Sequence, residues 1–153
     1  MKITIITLFP EMFRGFLEES IVKRAQEMGK VEIIFVNPRD FTTDTHKTVD
    51  DRPFGGGAGM VMMLEPLKKA IQSVKSERTY IVGTSARGNV FTQKKAQEYA
   101  KKEELVILAG HYEGYDERLR EQFDEEVSLG DFIMTGGELV AACIIDAVVR
   151  LQK

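Results

Sequence analysis

The chain has 153 residues, 43% of them hydrophobic and 29% charged, with a net charge of −3. This is the composition of one soluble domain able to fold around its own core. It excludes a global basic field, so nucleic-acid contacts must come from local patches, and no apolar run or signal-peptide pattern points to a membrane.

Residues 2–9 are dense in β-branched side chains and stop at Pro10, which predicts a buried strand. Met12, Phe13, Phe16, Leu17, Ile21, Val22, Ala25 and Met28 then recur at helical spacing, with Gly29 at the stop. Residues 31–36 are a second apolar strand, ended by Asn37-Pro38. Strand, helix and strand in so short a span make a βαβ unit and hence an α/β fold on a parallel sheet.

From Arg39 to Met60 periodicity disappears, and an unstructured loop is expected. It carries Asp40, Asp44, His46, Asp50, Asp51 and Arg52, then a run in which Gly55, Gly56, Gly57 and Gly59 suit close approach of backbone to phosphate or base. A flexible loop without a ligand fits the same pattern. A P-loop is excluded, because no Gly-Lys-Ser/Thr follows.

Pro66 suits the first turn of a helix that buries Leu67, Ala70, Ile71 and Val74. Residues 79–82 are a third strand, followed by a turn over residues 83–89 at the end where open α/β sheets gather ligands. Thr92 caps a helix through Tyr99 and Ala100. Residues 105–109 are a fourth strand ending at Gly110, and a short helix over 116–123 leads to a fifth strand near 126–129. The last helix, from Glu138, is apolar almost all round, which predicts burial by the sheet and by a second subunit. Within it the lone cysteine, Cys143, is expected to be a buried, inert thiol, and its lack of a partner fits a reducing cytoplasm. The two histidines, His46 and His111, lie far apart, and no Cys/His cluster suggests a metal site. No Gly or Pro marks a stop before Lys153, so the end reads as a cut.

Between the last strand and that helix, Gly130, Gly136 and Gly137 flank the apolar run Phe132-Ile133-Met134. Glycine backbone beside an apolar wall suits a flat heteroaromatic ligand such as adenine, whereas a plain strand–turn–helix connection is the alternative. Three strand-end loops converge here: residues 84–89, 110–114 and 129–137.

Together with Asp50-Asp51-Arg52-Pro53-Phe54-Gly55-Gly56-Gly57-Ala58-Gly59-Met60, these loops resemble the bacterial tRNA (guanine-N1)-methyltransferases of the SPOUT class. The runs Gly110-His111-Tyr112-Glu113-Gly114-Tyr115-Asp116-Glu117-Arg118 and Gly130-Asp131 through Gly136-Gly137-Glu138-Leu139 carry the resemblance, which extends along the whole chain. It implies a parallel sheet flanked by helices with a C-terminal deep trefoil knot, a homodimer, S-adenosylmethionine as cofactor and tRNA as substrate. The methyl group would go to N1 of the guanine just 3′ of the anticodon.

By matching position, the resemblance assigns the cofactor to Gly110, Leu129, Gly130, Ile133, Met134, Gly136, Gly137 and Leu139. Ser128, Asp131, Phe132, Thr84, Ser85, Tyr112 and Glu113 join them around the same site. Arg150 matches the family's catalytic arginine, a cation for the charge that develops at guanine O6. It also sits where a helix C-terminus favours a cation. Glu113 would orient Arg150 or the substrate, with magnesium a further candidate cofactor. Asp50, Arg52, Gly55, Gly56, Gly57 and Gly59 would hold the tRNA. Val140 and Ala58 stand where the family often has proline, which changes loop stiffness more than chemistry. The family's C-terminal tRNA-binding domain, with the aspartate proposed as base, is absent after Lys153, so residues 1–153 are expected to be a cofactor-binding domain with weak activity alone. The alternative is a non-catalytic RNA-binding or dimerisation module on the same fold. A Rossmann enzyme is disfavoured, since no Gly-x-Gly-x-x-Gly follows the first strand.

Overall fold

The computed structural model of the chain describes residues 1–152. In chain order the elements are β1 (Lys2–Ile6), a 3-10 turn (Pro10–Phe13), α1 (Arg14–Leu17), α2 (Ser20–Glu27), β2 (Glu32–Val36), a 3-10 turn (Pro38–Phe41), β3 (Asp50–Asp51), β4 (Val61–Met62), α3 (Leu64–Val74), β5 (Thr79–Val90), α4 (Gln93–Tyr99), β6 (Glu104–Leu108), a 3-10 segment (Glu117–Gln122), β7 (Glu125–Ser128) and α5 (Glu138–Val149). Five of the strands form a parallel sheet in the order β2-β1-β6-β5-β7.

Alternation along the strands divides the core. Ile3, Ile5, Val82, Leu105 and Ile107 face one cluster, which Phe13, Leu17, Val22, Tyr99 and the inner side of α5 complete. Ile6, Ile81, Val106 and Leu108 face the other, closed by Leu67, Ala70 and Ile71 of α3 with Leu119. A sheet covered on both faces needs apolar residues at successive positions, which is why these strands read as continuous apolar runs.

Several details depart from the sequence expectation. The first strand stops at Ile6. The first helix is broken: Glu19 is extended and Ser20 has φ 52. Phe13 and Leu17 lie a turn apart, but Val22 follows after five residues and would leave that face in an unbroken helix. The break turns it back into the core, where it is 3% exposed, and leaves Met12, Ile21 and Met28 at the surface.

The loop expected to be unstructured holds a 3-10 turn, and its β3 pairs antiparallel with β4 around a fully buried Val49. The strand expected to end at Val82 resumes after an excursion, because Thr84 and Asn89 both sit opposite Val127 and residues 85–88 leave the sheet between them. The last helix is not buried all round. Val140, Ala141, Ile144, Ile145, Val148 and Val149 are inside, while Leu139, Cys143, Asp146 and Arg150 form an exposed side. Cys143 is therefore exposed and not buried as expected, because its neighbours Ile144 and Ile145 take the core-facing positions. No helix among the described residues is long and apolar enough to cross a membrane.

Candidate functional site

The C-terminal ends of β5, β6 and β7 and the start of α5 enclose a cavity of about 510 Å³. Thr84 stands at its base. Its Oγ1 accepts the Gly110 N–H at 2.9 Å, and Gly110 O accepts the Gly137 N–H at 2.6 Å. Strand β5, the end of β6 and the start of α5 are thus sewn together through one hydroxyl and one glycine. The approach leaves no room for a side chain at Gly137, where a Cβ would overlap Thr84 Oγ1 and lie 2.8 Å from Gly110 N.

Beside this seam Glu138, 2% exposed, opens α5. Its Oε2 lies 3.2 Å from His111 Nδ1, and its Oε1 accepts from the Thr7 hydroxyl at 3.3 Å. A buried carboxylate with both oxygens partnered, at the positive end of a helix, fixes the cavity floor. The His111 ring lies between Phe9, at 4.6 Å, and Tyr112, at 4.9 Å. Tyr112 has φ 55, a strained backbone at the cavity edge.

The apolar wall is Leu129, Phe132, Ile133 and Met134. Phe132 and Ile133 are 57% and 84% exposed, so this wall lacks a cover. The opposite rim is charged. Arg87 pairs with Glu117, which Arg120 also holds at 3.3 Å. The Arg87 guanidinium beside it keeps the Glu117 carboxyl below its ordinary range. Tyr115 donates to Glu126 at 2.6 Å, and burial followed by that hydrogen bond pushes the phenol upward, so it stays protonated.

Of the expected cofactor residues, Thr84, Ser85, Gly110, Tyr112, Glu113, Ser128, Leu129, Phe132, Ile133, Met134, Gly136 and Gly137 line the cavity. Gly130 and Asp131 lie in the same loop outside the lining, and Leu139 falls on the exposed side of α5. Arg150 is not brought to this cavity. It caps the far end of α5, about 20 Å from Gly137 at the rise of an α-helix. Asp50 pairs in β3, and Arg52, Gly55, Gly56 and Gly57 are exposed and apart from the lining. Gly59 alone of that run reaches the site, against the Glu113 side chain, where Glu113 N–H donates to Met60 O at 2.9 Å.

The lining residues not anticipated are Ala86, Arg87, His111, Gly114, Tyr115, Glu117 and Val140. Most lie inside motifs already singled out, but the pairing of Arg87 with a carboxylate 30 residues away has no local signature. Among the described residues no group of three or more His, Cys, Asp or Glu is arranged to hold a metal.

Residues 1–153 match the tRNA (guanine-1)-methyltransferase TrmD family. The chain belongs to that family. It is 54% identical over 152 residues to a tRNA (guanine-N(1)-)-methyltransferase of Carboxydothermus hydrogenoformans, covering 99% of this chain and 60% of that protein. With the Dictyoglomus turgidum relative of the same description it shares 51% over 151 residues, covering 99% of this chain and 62% of that one. This TrmD family chain thus spans about three-fifths of the length of the curated relatives it matches. Its fold matches the crystal structure of a tRNA (m1G37) methyltransferase from Aquifex aeolicus with a TM-score of 0.92 at 39% identity, covering 100% of this chain and 70% of that one. The family's parallel sheet flanked by helices is the architecture described above.

Proposed function

We propose that this domain binds S-adenosylmethionine at the strand ends and directs its methyl group to N1 of the tRNA guanine just 3′ of the anticodon. The observation that carries this is the uncovered wall of Phe132 and Ile133 facing glycine backbone in a cavity of about 510 Å³. That size falls among small-molecule sites of about 300–1,000 Å³. Membership of the family supplies the reaction class. The residues fit the cofactor: an apolar slot for a flat base, close backbone for its polar edge, and charged groups at the rim. When bound, S-adenosylmethionine supplies a methyl group on a positively charged sulfur.

The rest of the work falls to this chain and its substrate. Thr84, Gly110 and Gly137 hold the slot rigid, which serves a displacement whose rate depends on alignment. Glu113, exposed beside Gly59, meets the incoming guanine. A magnesium ion at Glu113 would need substrate oxygens to complete its shell. Loss of the N1 proton leaves negative charge toward O6, which Arg150 neutralises. Its distance from Gly137 supports delivery from a second copy. The exposed side of α5, with Leu139 at 56% exposure beside Cys143, supports a homodimer through that helix. We infer that the chain is a deep trefoil knot, supported by Gly137 pressed against Thr84 and Gly110. The run from Asp50 to Gly59 holds the tRNA, in the cytoplasm.

Calorimetry with S-adenosylmethionine and S-adenosylhomocysteine tests the cofactor site. Micromolar binding of either is expected, and no binding at high micromolar concentration would leave only an RNA-binding or dimerisation module. In a tRNA methylation assay, residues 1–153 alone should turn over far more slowly than a chain extended past Lys153. Equal rates would show that the base lies within these residues.

A further inference from the structure

Among the described residues Arg87 is the only lysine or arginine in the cavity lining, which also holds Glu113 and Glu117, and it pairs with Glu117. The Arg87–Glu117 pair is solvent-exposed, with side chains 64% and 61% accessible. A pair that open to water contributes little to folding. Its placement is nonetheless well determined. The excursion over residues 85–88 lifts Arg87 out of β5, where the Arg87 N–H donates to Ser85 Oγ at 3.3 Å. The chain then returns through Gly88, where a Cβ would lie 2.5 Å from Val127 N. On the other side, Glu117 gives one oxygen to Arg87 and the other to Arg120. Arg120 is anchored in turn on Glu126 at 2.6 Å, and Glu126 on the Tyr115 hydroxyl. Glu117 therefore keeps its position when Arg87 swings away.

We propose that this ion pair is the seat of the zwitterionic amino-acid end of the methyl donor. The inference rests on the cofactor site proposed above and extends it to the part of the ligand that the apolar slot does not serve. An α-amino acid carries an ammonium and a carboxylate on one carbon. An arginine and a glutamate already in contact present the complementary charges at similar separation. The ligand carboxylate takes the planar fork of Arg87, and its ammonium takes the Glu117 oxygen so released. One ion pair is exchanged for two, with no charge left unpaired.

The test separates the amino-acid end from the nucleoside. S-adenosylhomocysteine carries both, whereas 5′-methylthioadenosine keeps the nucleoside and thioether without the amino acid, and both sulfurs are neutral. Calorimetry with each ligand is run on the wild type, Arg87→Gln and Glu117→Gln. Each substitution should weaken S-adenosylhomocysteine about tenfold and leave methylthioadenosine within about twofold. Losses equal for the two ligands, or no loss for either, would overturn the proposal. If the wild type binds methylthioadenosine and the variants do not discriminate, the adenosine site stands and only the role of the ion pair falls. If the wild type binds neither ligand, both readings fall together.

Discussion

Two glycine-rich stretches invite the same interpretation, and the structure separates them. In the loop before α5, Gly136 and Gly137 are glycines because nothing larger fits: a Cβ at Gly136 would lie 2.5 Å from His111 Nδ1, and one at Gly137 would enter Thr84. In the run after β3, Gly55, Gly56 and Gly57 have φ of 84, 87 and 126 and nothing within 4 Å of a built Cβ. The first pair answers to contact and the second group to backbone conformation. Contact glycines belong to a formed pocket, whose walls exist before any ligand arrives. Conformational glycines belong to a loop that can change shape, as a surface that meets a large, variable partner must. Gly59 joins the two kinds, with φ 79 and the Glu113 side chain against it.

The largest effect expected from this contrast is that of Gly137→Ala. The added methyl must displace Thr84 or Gly110 and so opens the seam that defines the cavity. Overpacking of this kind costs about 3 kcal/mol, or roughly 8 °C in Tm for a chain of this size. Affinity for S-adenosylhomocysteine should fall about hundredfold, a loss of similar free energy. Calorimetry and thermal unfolding check both, and a variant of native stability and affinity would refute the contact account.

Next in size is Glu138→Ala. The substitution strips the partner from the Thr7 hydroxyl and from His111 Nδ1 under the same loop. Leaving buried polar groups unpaired costs about 2 kcal/mol, roughly 6 °C in Tm. Because the floor is rebuilt and not merely weakened, ligand affinity should drop with stability. A loss of stability with affinity unchanged would make Glu138 a support of the fold alone.

The same contrast explains what was legible from residues alone. The order of strands and helices follows from apolar periodicity, and the three strand-end loops follow from glycines placed after apolar runs. Twelve of the residues that the resemblance assigns to the cofactor line the cavity. Periodicity is local, however, and fails where tertiary contact decides. The break at Ser20 answers to a core that must receive both Leu17 and Val22. The excursion at 85–88 is a matter of register against β7, which no single strand encodes. Cys143 has apolar neighbours in sequence but lies on the outer side of α5. Arg150, like the cofactor residues, is assigned to the site by resemblance, and the length of α5 sets it apart from the cavity.

Gly56→Ala should give the smallest effect and the sharpest control. Its φ of 87 is in the left-handed range that an L side chain resists, at a cost of about 1 kcal/mol. No atom stands in the way of the methyl, so the cost is conformational and confined to the loop. Affinity for S-adenosylhomocysteine should stay within about twofold, because Gly56 lies outside the lining. In a chain extended past Lys153, the KM for tRNA should rise several-fold while kcat holds, since a loop that adapts to RNA pays for stiffness on binding. Ligand affinity falling as far as in Gly137→Ala would show that the loop closes over the cavity and that the two kinds of glycine serve one site.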